Sequence, residues 1–304
     1  MSAADLMGPT DEATTLPRRK KRDWLFGIGL TIVAVVVILA AIGPWIAPYD
    51  PTSVTPRIVE PPPSLGEIPG LLWGSITGTL EHPPHWMGTD ASGFDIFSRV
   101  ISAPRIDLSI ALAANGLSLL VGVLLGLLAG YYRNVATGLL MRVSDVLQSF
   151  PVFISAMILV ALAGRSTVNI IIALALLYTP IYIRLTRAEV MSQKVRGYVE
   201  AARAMGNPEL TVALRHVLPN SLAPALIQAS VTIGFAILLT AGLSFVGAGV
   251  RPPTPEWGLM ISTGANQIIL GEWWPSVFPG IAISLTVFGF AVLGNALERR
   301  YDGG

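Results

Sequence analysis

The side chains that most often carry chemistry are few in this chain. There is no cysteine, so disulfides, thiolate metal sites and cysteine nucleophiles are excluded. The three histidines are His82, His85 and His216. The first two could supply part of a metal site, but a structural zinc ion needs four ligands and no further ligand is evident. We therefore interpret them as an incidental pair in a loop and predict no metal.

Motifs of nucleotide and hydrolase chemistry are missing from the sequence as well. The lysines stand at positions 20, 21 and 194, and none follows a glycine loop, so the chain has no P-loop. Neither G-x-S-x-G nor H-E-x-x-H occurs. An intramembrane protease would need a nucleophile beside a base, and the apolar runs hold serine and threonine but no histidine. We predict a protein that is not an enzyme and binds no cofactor.

Acidic residues also avoid the apolar runs. Asp107, Asp145, Glu189 and Glu298 lie at or beyond the ends of these runs. Ion-coupled carriers often place ionisable groups near the centre of the bilayer, and this chain offers no clear candidate. A stand-alone secondary carrier is therefore the weaker hypothesis. If the protein moves a solute, we expect the energy to come from another subunit.

One polar stretch, residues 193–220, has a pattern of its own. Its apolar residues recur at the spacing of one helix face, i, i+3, i+4, i+7 and i+10: Val195, Tyr198, Val199, Ala202 and Met205. This face could pack against the ends of other helices, or it could dock into a groove on a partner. Periodicity alone does not decide between the two hypotheses.

The same stretch carries the signals of a helical hairpin. Gly206 is placed to end the first helix in a left-handed conformation. Asn207 as N-cap, Pro208 at the first helical position and Glu209 in the first turn predict the start of a second helix. We expect Pro219 to end it.

The elements around this hairpin are apolar enough to span a membrane. Hydrophobic residues make up 52% of the 304 residues and charged residues only 13%, about half the charge of a soluble domain. We predict an all-α, polytopic membrane protein with six transmembrane helices and a cytoplasmic hairpin. The predicted spans are 24–43, 108–132, 146–164, 166–183, 221–250 and 273–297, and residues 257–271 form a shorter interfacial or re-entrant piece. Small residues such as Gly122, Gly126, Gly234 and Gly242 are expected to mediate close helix contacts instead of lining a site.

The distribution of basic residues predicts the orientation. With both termini in the cytoplasm, 15 of the 20 Lys and Arg residues lie on the cytoplasmic side and 5 on the other. The predicted divisions are a cytoplasmic tail, 1–23, the first span, 24–43, an extracytoplasmic segment, 44–107, a five-helix core, 108–297, and a cytoplasmic tail, 298–304. We interpret the basic cluster at residues 18–22 as a determinant of topology in contact with lipid, with no role in binding nucleic acid. Within the extracytoplasmic segment, residues 89–102 are predicted to form a short helix capped by Thr89 or Asp90.

The hairpin contains a recognisable motif. The run Glu200-Ala201-Ala202-Arg203-Ala204-Met205-Gly206, followed by Leu218-Pro219, resembles the EAA motif of ATP-binding-cassette (ABC) importer permeases. His216 stands where that motif usually has isoleucine. The ending Arg215 to Asn220 is similar to the one found in the peptide-transport branch.

Other segments resemble the same branch, and the resemblance extends over about residues 24 to 297. Gly88-Thr89-Asp90 through Ser98-Arg99 is similar to its G-T-D-x-x-G-R-D-x-x-S-R stretch, with Phe94 in place of the usual arginine. Leu243-Ser244-Phe245-Val246-Gly247 and the run Pro252 to Gly258 are similar to its L-S-F-L-G and P-P-T-P-x-W-G signatures. Together these motifs indicate the dipeptide/oligopeptide/nickel group.

The resemblance implies an assembly and roles for the hairpin residues. It implies a second homologous permease, two cytoplasmic ATPases that hydrolyse ATP, and an extracytoplasmic substrate-binding protein. The hairpin would be the coupling helix in the ATPase cleft. The partner-binding residues would be Glu200, Ala201, Ala202, Arg203, Gly206, Leu218 and Pro219. The expected cargo is di- or oligopeptides, and nickel or another small solute remains the alternative.

Overall fold

The computed structural model describes residues 24–56, 58–132 and 134–302. Within these ranges the chain is built from helices, and the only β-pairing is an isolated bridge between Thr89 and Asp95. The basic cluster at residues 18–22 lies outside the described residues. The α-helices are α1 Trp24–Ile46, α2 Ile68–Thr77, α3 Ile96–Ser102, α4 Pro104–Tyr131, α5 Val135–Ser149, α6 Val152–Ala163, α7 Thr167–Gln193, α8 Gly197–Ala204, α9 Glu209–Thr211, α10 Leu218–Ser221, α11 Ala223–Phe245, α12 Trp257–Ala265 and α13 Trp274–Asp302.

Five stretches of helix in the described residues are long and apolar enough to cross a membrane. They are α1, α3 with α4, α7, α11 and α13. A sixth crossing is available only if α5 and α6 count as one broken span, because they meet at an angle of 95°. The prediction of a polytopic all-α membrane protein is thus confirmed.

The predicted third span, 146–164, is wrong as one continuous helix. The chain leaves helical geometry at Phe150 (φ −97°, ψ 147°), and α6 begins after Pro151. Proline disfavours the helical conformation in the residue before it, and this sterically forces the break.

Other predicted ends also shift. Helix α7 continues ten residues beyond Ile183 to Gln193, and Arg184 forms a 2.6 Å ion pair with Asp145 of α5. Charged residues on a helix that leaves the apolar layer do not end it, so hydropathy underestimated its length. The short helix predicted for 89–102 begins only at Ile96, because Asp95 caps it by accepting from Ser98 N at 2.8 Å.

The crossings place two groups of elements at opposite ends of the molecule. At one end the Arg300 guanidinium lies 3.7 Å from the Phe26 ring centroid, so α1 begins where α13 ends. The hairpin shares this end, because Lys194 Nζ donates to the Gly130 carbonyl at the end of α4. We call it the hairpin end. The opposite end holds α2, α3, α12 and the start of α13, where Trp274 Nε1 donates to the Thr89 carbonyl.

Glycines let α4 and α7 pack closely between these two ends. A Cβ atom on Gly122 would lie 2.4 Å from Tyr182 Cβ, and one on Gly126 would lie 2.8 Å from the Ile183 carbonyl oxygen. A Cβ on Gly234 of α11 would lie 3.2 Å from Phe290 Cβ of α13. The predicted close contacts are confirmed at these three glycines. Gly242 of α11 also lies close to a neighbouring helix, since an added Cβ would lie 2.9 Å from Phe153 Cε2 of α6, but it forms part of a cavity wall as well.

Candidate functional site

The turn between the two arms of the hairpin is built on Gly206. Its φ of +82° is left-handed, and its N–H donates to the Arg203 carbonyl at 2.9 Å. The prediction that Asn207 caps the second arm is wrong. Asn207 Nδ2 instead donates to the Ala202 carbonyl at 2.8 Å and so closes α8, and the second arm begins at Glu209 after Pro208. The free carbonyls at the end of α8 thus compete successfully for the amide side chain.

The second arm does not stop at Pro219. A π-helix, Val212–Val217, leads into α10, and Pro219 lies in the first turn of that helix. Proline is tolerated there because the first turn of a helix needs no N–H donor. In an α-helix the proline ring would also clash with the carbonyl of the residue four positions before it, and here that residue lies in the wider π-helix. The prediction that Pro219 ends this arm is therefore wrong, and the arm continues to Ser221.

One part of the predicted apolar face packs inside the molecule. Val199 and Ala202 are buried in a cluster with Leu127 of α4, Val190 of α7 and Val212 of the second arm. The packing hypothesis therefore holds for this part of the hairpin. Helix α8 is fixed on the ends of α4 and α7 by apolar contact.

The remaining apolar positions point away from the spans. Val195 precedes α8, and Met205 follows it with 75% of its surface exposed. Leu210 on the second arm is 60% exposed. Exposed apolar residues that recur along one hairpin can form part of a contact surface for another protein. The predicted periodic face is thus divided into buried positions, Val199 and Ala202, and exposed positions, Val195, Tyr198 and Met205. Leu210 of the second arm was not part of that face and adds another exposed apolar residue. We call Val195, Met205 and Leu210 the apolar rim.

A polar contact joins the two arms and the end of α4. Arg203 Nε lies 3.2 Å from Glu209 Oε1, and an Arg203 terminal nitrogen donates to the Tyr131 hydroxyl at 3.2 Å. The Tyr131 hydroxyl in turn donates to Glu209 Oε2. The hydrogen bond to Tyr131, with the carboxylate of Glu209 nearby, raises the pKa of Arg203 above its ordinary value. Arg203 is therefore charged at every physiological pH.

The motif residues divide according to their environment. Exposed ones are Glu200, Ala201, Gly206 and Pro219, whereas Ala202 is buried and Leu218 is half-buried. Glu200 has no side-chain partner in the described part of the chain. Arg203 is committed to its contacts with Glu209 and Tyr131 but keeps 37% of its side chain exposed. The exposed motif residues and the apolar rim together form the surface available to a partner.

At the opposite end, two other motif segments meet around a buried arginine. Arg99 donates to the Pro51 carbonyl at 3.0 Å, the Pro253 carbonyl at 3.1 Å and the Thr254 carbonyl at 3.3 Å. Its guanidinium also lies 4.4 Å from the ring centroid of Phe94, the residue that departs from the family pattern. We call these five residues the Arg99 cluster. Sequence reasoning marked both segments but missed their contact, since about 150 residues separate them.

Buried carboxylates organise the same end. Glu256 caps α12 by accepting from Gly258 N at 2.9 Å and Leu259 N at 2.7 Å. Asp107, in the first turn of α4, accepts from Trp257 N at 3.3 Å. His85 Nδ1 lies 2.7 Å from Asp95 Oδ1, and both residues are buried. His85 is thus a structural partner of Asp95, and the described residues contain no cluster of three or more potential metal ligands.

Comparison with known proteins agrees with this arrangement. Residues 122–303 match the family described as binding-protein-dependent transport system inner membrane component. Residues 18–63 match the N-terminal TM domain of oligopeptide transport permease C.

Individual relatives align over most of the chain. A di/tripeptide transport system permease protein of Pseudomonas aeruginosa is 39% identical over 274 residues, which cover 90% of this chain and 86% of the relative. A glutathione transport system permease protein of Pectobacterium atrosepticum is 38% identical, with 72% of each chain covered. A probable D,D-dipeptide transport system permease protein of Escherichia coli is 34% identical, with 92% of this chain and 89% of the relative covered. The chain therefore belongs to the binding-protein-dependent transport system inner membrane components, a family of multi-pass transport permeases that are not themselves enzymes.

Proposed function

We propose that this chain forms half of the translocation pore of an ATP-driven importer for short peptides. The named cargoes of its relatives, di/tripeptides, glutathione and D,D-dipeptides, are all small molecules with peptide bonds. A second homologous permease would complete the pore. An extracytoplasmic binding protein would deliver the peptide, and two ATPase subunits would supply the energy.

The hairpin is the proposed contact with an ATPase. The observation that carries this proposal is the division of the hairpin into an inner face packed on α4 and α7 and an exposed apolar rim. The rim residues stand before and after α8 and on the second arm, so a groove on the partner that receives α8 could contact them as well, in a variant of the helix-in-groove mode of recognition. The basic residues counted over the whole chain favour the cytoplasm as the location of this hairpin and of both termini.

The inner face gives this contact a mechanical consequence. Val199 and Ala202 pack against Leu127 and Val190, which belong to the last turns of α4 and α7. Arg203 additionally reaches Tyr131, the last residue of α4. A displacement of α8 by a closing ATPase pair would therefore be passed to two spans by contacts that already exist.

The test reverses a charge on the exposed side of α8. Glu200→Lys is compared with Glu298→Lys, an exposed residue of α13 at the same end of the molecule but outside the hairpin. With partner subunits in proteoliposomes, Glu200→Lys should weaken ATPase co-purification about tenfold, the equivalent of ~1.4 kcal/mol. Peptide-stimulated ATP hydrolysis should fall with it, and Glu298→Lys should leave both unchanged. Normal association of both variants would show that the hairpin is a packing element only.

The same vesicles test the cargo. Uptake of radiolabelled di- and tripeptides that requires ATP and the binding protein is the expected result. Uptake of Ni²⁺ without uptake of peptide would favour the nickel alternative. Uptake by this chain alone, without ATP, would contradict the importer and favour a secondary carrier.

A further inference from the structure

A cavity of about 540 Å³ opens between three of the helices that build the membrane region, α6, α7 and α11. It owes its shape to the 95° bend before α6, which places Phe153 of α6 across from Phe235 and Leu239 of α11. Its volume falls in the range of pockets that hold small organic ligands. Most of its wall is apolar.

The polar groups in this wall are uncharged. They are the Tyr178 hydroxyl, the Gln228 carboxamide and the Thr232 hydroxyl, and no lining residue is acidic, basic or a histidine. This set lacks the carboxylate and imidazole groups that commonly bind metal cations in proteins. A hydroxyl donor beside a carboxamide is suited to the C=O and N–H groups of a peptide bond.

Tyr178 supplies a hydroxyl to the cavity wall. The residue as a whole is only 5% exposed, and its hydroxyl is not one of the described polar atoms that are buried without a partner. A hydroxyl in this position can donate to the carbonyl of a bound molecule. Gln228 Nε2 is used in a 3.3 Å hydrogen bond to Thr232 Oγ1, and this leaves its carbonyl oxygen available as an acceptor.

We propose that this cavity is a binding site for the peptide backbone in transit, with Tyr178 donating to a peptide carbonyl and Gln228 accepting from a peptide N–H. The inference rests on the proposed function and adds a substrate-contacting site to it. Recognition through the peptide bond is independent of the side chains of the cargo, because the surrounding wall is apolar and carries no charge. The binding protein then keeps the choice among peptides.

The first test uses the absence of native cysteine. Phe235→Cys places a thiol at the cavity, and Leu226→Cys places one on an exposed part of the same helix outside it. Each variant is assembled with its partners, energised with ATP and supplied with a tripeptide that carries a thiol-reactive group and a radiolabel. We expect labelled peptide on Phe235→Cys and at least about tenfold less on Leu226→Cys.

The second test removes single hydrogen-bonding groups. Tyr178→Phe and Gln228→Leu should each lower the number of peptides moved per ATP hydrolysed by roughly 2- to 10-fold, the range expected for one neutral hydrogen bond. ATPase association and ATP hydrolysis stimulated by the loaded binding protein should stay at the wild-type level. Tyr132→Phe is the matched control, since Tyr132 lies at the hairpin end away from the cavity.

The outcomes distinguish a failure of this inference from a failure of the proposed function on which it rests. If the wild-type assembly moves no peptide, both the proposed function and this inference are wrong. If the wild type moves peptide but Phe235→Cys captures none, or cross-links to the second permease instead, the importer stands and the peptide site is overturned. Unchanged peptide-to-ATP ratios in both Tyr178→Phe and Gln228→Leu would equally overturn it.

Discussion

The two ends of the molecule each hold an arginine among helix ends, but in different ways. Arg99 at the opposite end is 4% exposed and donates to the carbonyls of Pro51 and Pro253, which stand 48 and 154 residues away from it along the chain. Arg203 at the hairpin end stays partly exposed and pairs with Glu209, six residues away on the other arm. The opposite end is therefore completed by the chain's own long-range contacts. The hairpin end also uses contacts with distant residues, such as that of Arg203 with Tyr131, but it leaves Arg203 partly exposed and exposes the apolar rim, as expected of a surface that another protein completes.

The comparison is tested most strongly at Arg99. Arg99→Ala should lower the free energy of unfolding by about 3 kcal/mol or more, because hydrogen bonds from a charged donor contribute ~1.5–3 kcal/mol each and carbonyls would remain buried without a donor. The measurement is thermal unfolding of the purified protein in detergent. Arg251→Ala is the control, since Arg251 is exposed at the same end. Equal melting temperatures for the two variants would contradict a structural difference between the ends.

The second prediction concerns the stability of the helices that connect the two ends. Gly126→Leu should destabilise the protein by roughly 1–3 kcal/mol through overpacking, because even a Cβ would lie 2.8 Å from the Ile183 carbonyl oxygen and from Thr186 Cβ. Gly116→Leu, on the same helix with no atom within 4 Å of its added Cβ, is the matched control. Stability in detergent and recovery of the assembled complex are measured for both. A Gly126→Leu complex that forms normally but prefers different peptides would show that this glycine belongs to a substrate site.

Local chemistry allowed much of the helical architecture to be predicted. The apolar runs located the five long helices that could cross a membrane and part of the bent pair α5 and α6 that could form a sixth crossing, and the left-handed glycine at position 206 ends the first arm as expected. The errors arise where two local signals compete. Asn207 can cap the helix that follows or close the one that precedes, and only the geometry of the free carbonyls at the end of α8 selects the second. Pro151 disfavours helical geometry at Phe150, but the continuous apolar run favoured the prediction of one unbroken span.

Long-range contacts were beyond the reach of a single sequence. Nothing local indicates that Arg99 donates to the Pro253 carbonyl, or that Glu256 and Asp107 are buried near each other behind Trp257. The same holds for the cavity beside Tyr178, whose walls come from three helices. Resemblance to a family identified the motif segments. The fold shows that two of them, residues 88–99 and 252–258, meet where Arg99 donates to the carbonyls of Pro253 and Thr254.

The smallest expected effect, and the finest test of the comparison, concerns Gly206. At φ +82° a β-branched residue is strained by ~1–2 kcal/mol, and the position is otherwise open, with no atom within 4 Å of an added Cβ. Gly206→Val should therefore disturb the turn through its backbone and not through a clash. Because asparagine tolerates the left-handed conformation, Gly206→Asn carries a side chain into the same space with little strain.

The two variants separate geometry from contact at the hairpin end. Gly206→Val should weaken ATPase association about five- to thirtyfold, the equivalent of ~1–2 kcal/mol, with the melting temperature of the isolated permease nearly unchanged, because α8 stays fixed by Val199 and Ala202. Gly206→Asn should associate almost normally. If both variants lose association equally, a side chain at this position blocks the partner directly. If neither does, the turn geometry has no part in coupling, and the hairpin end would resemble the opposite end in depending only on its internal contacts.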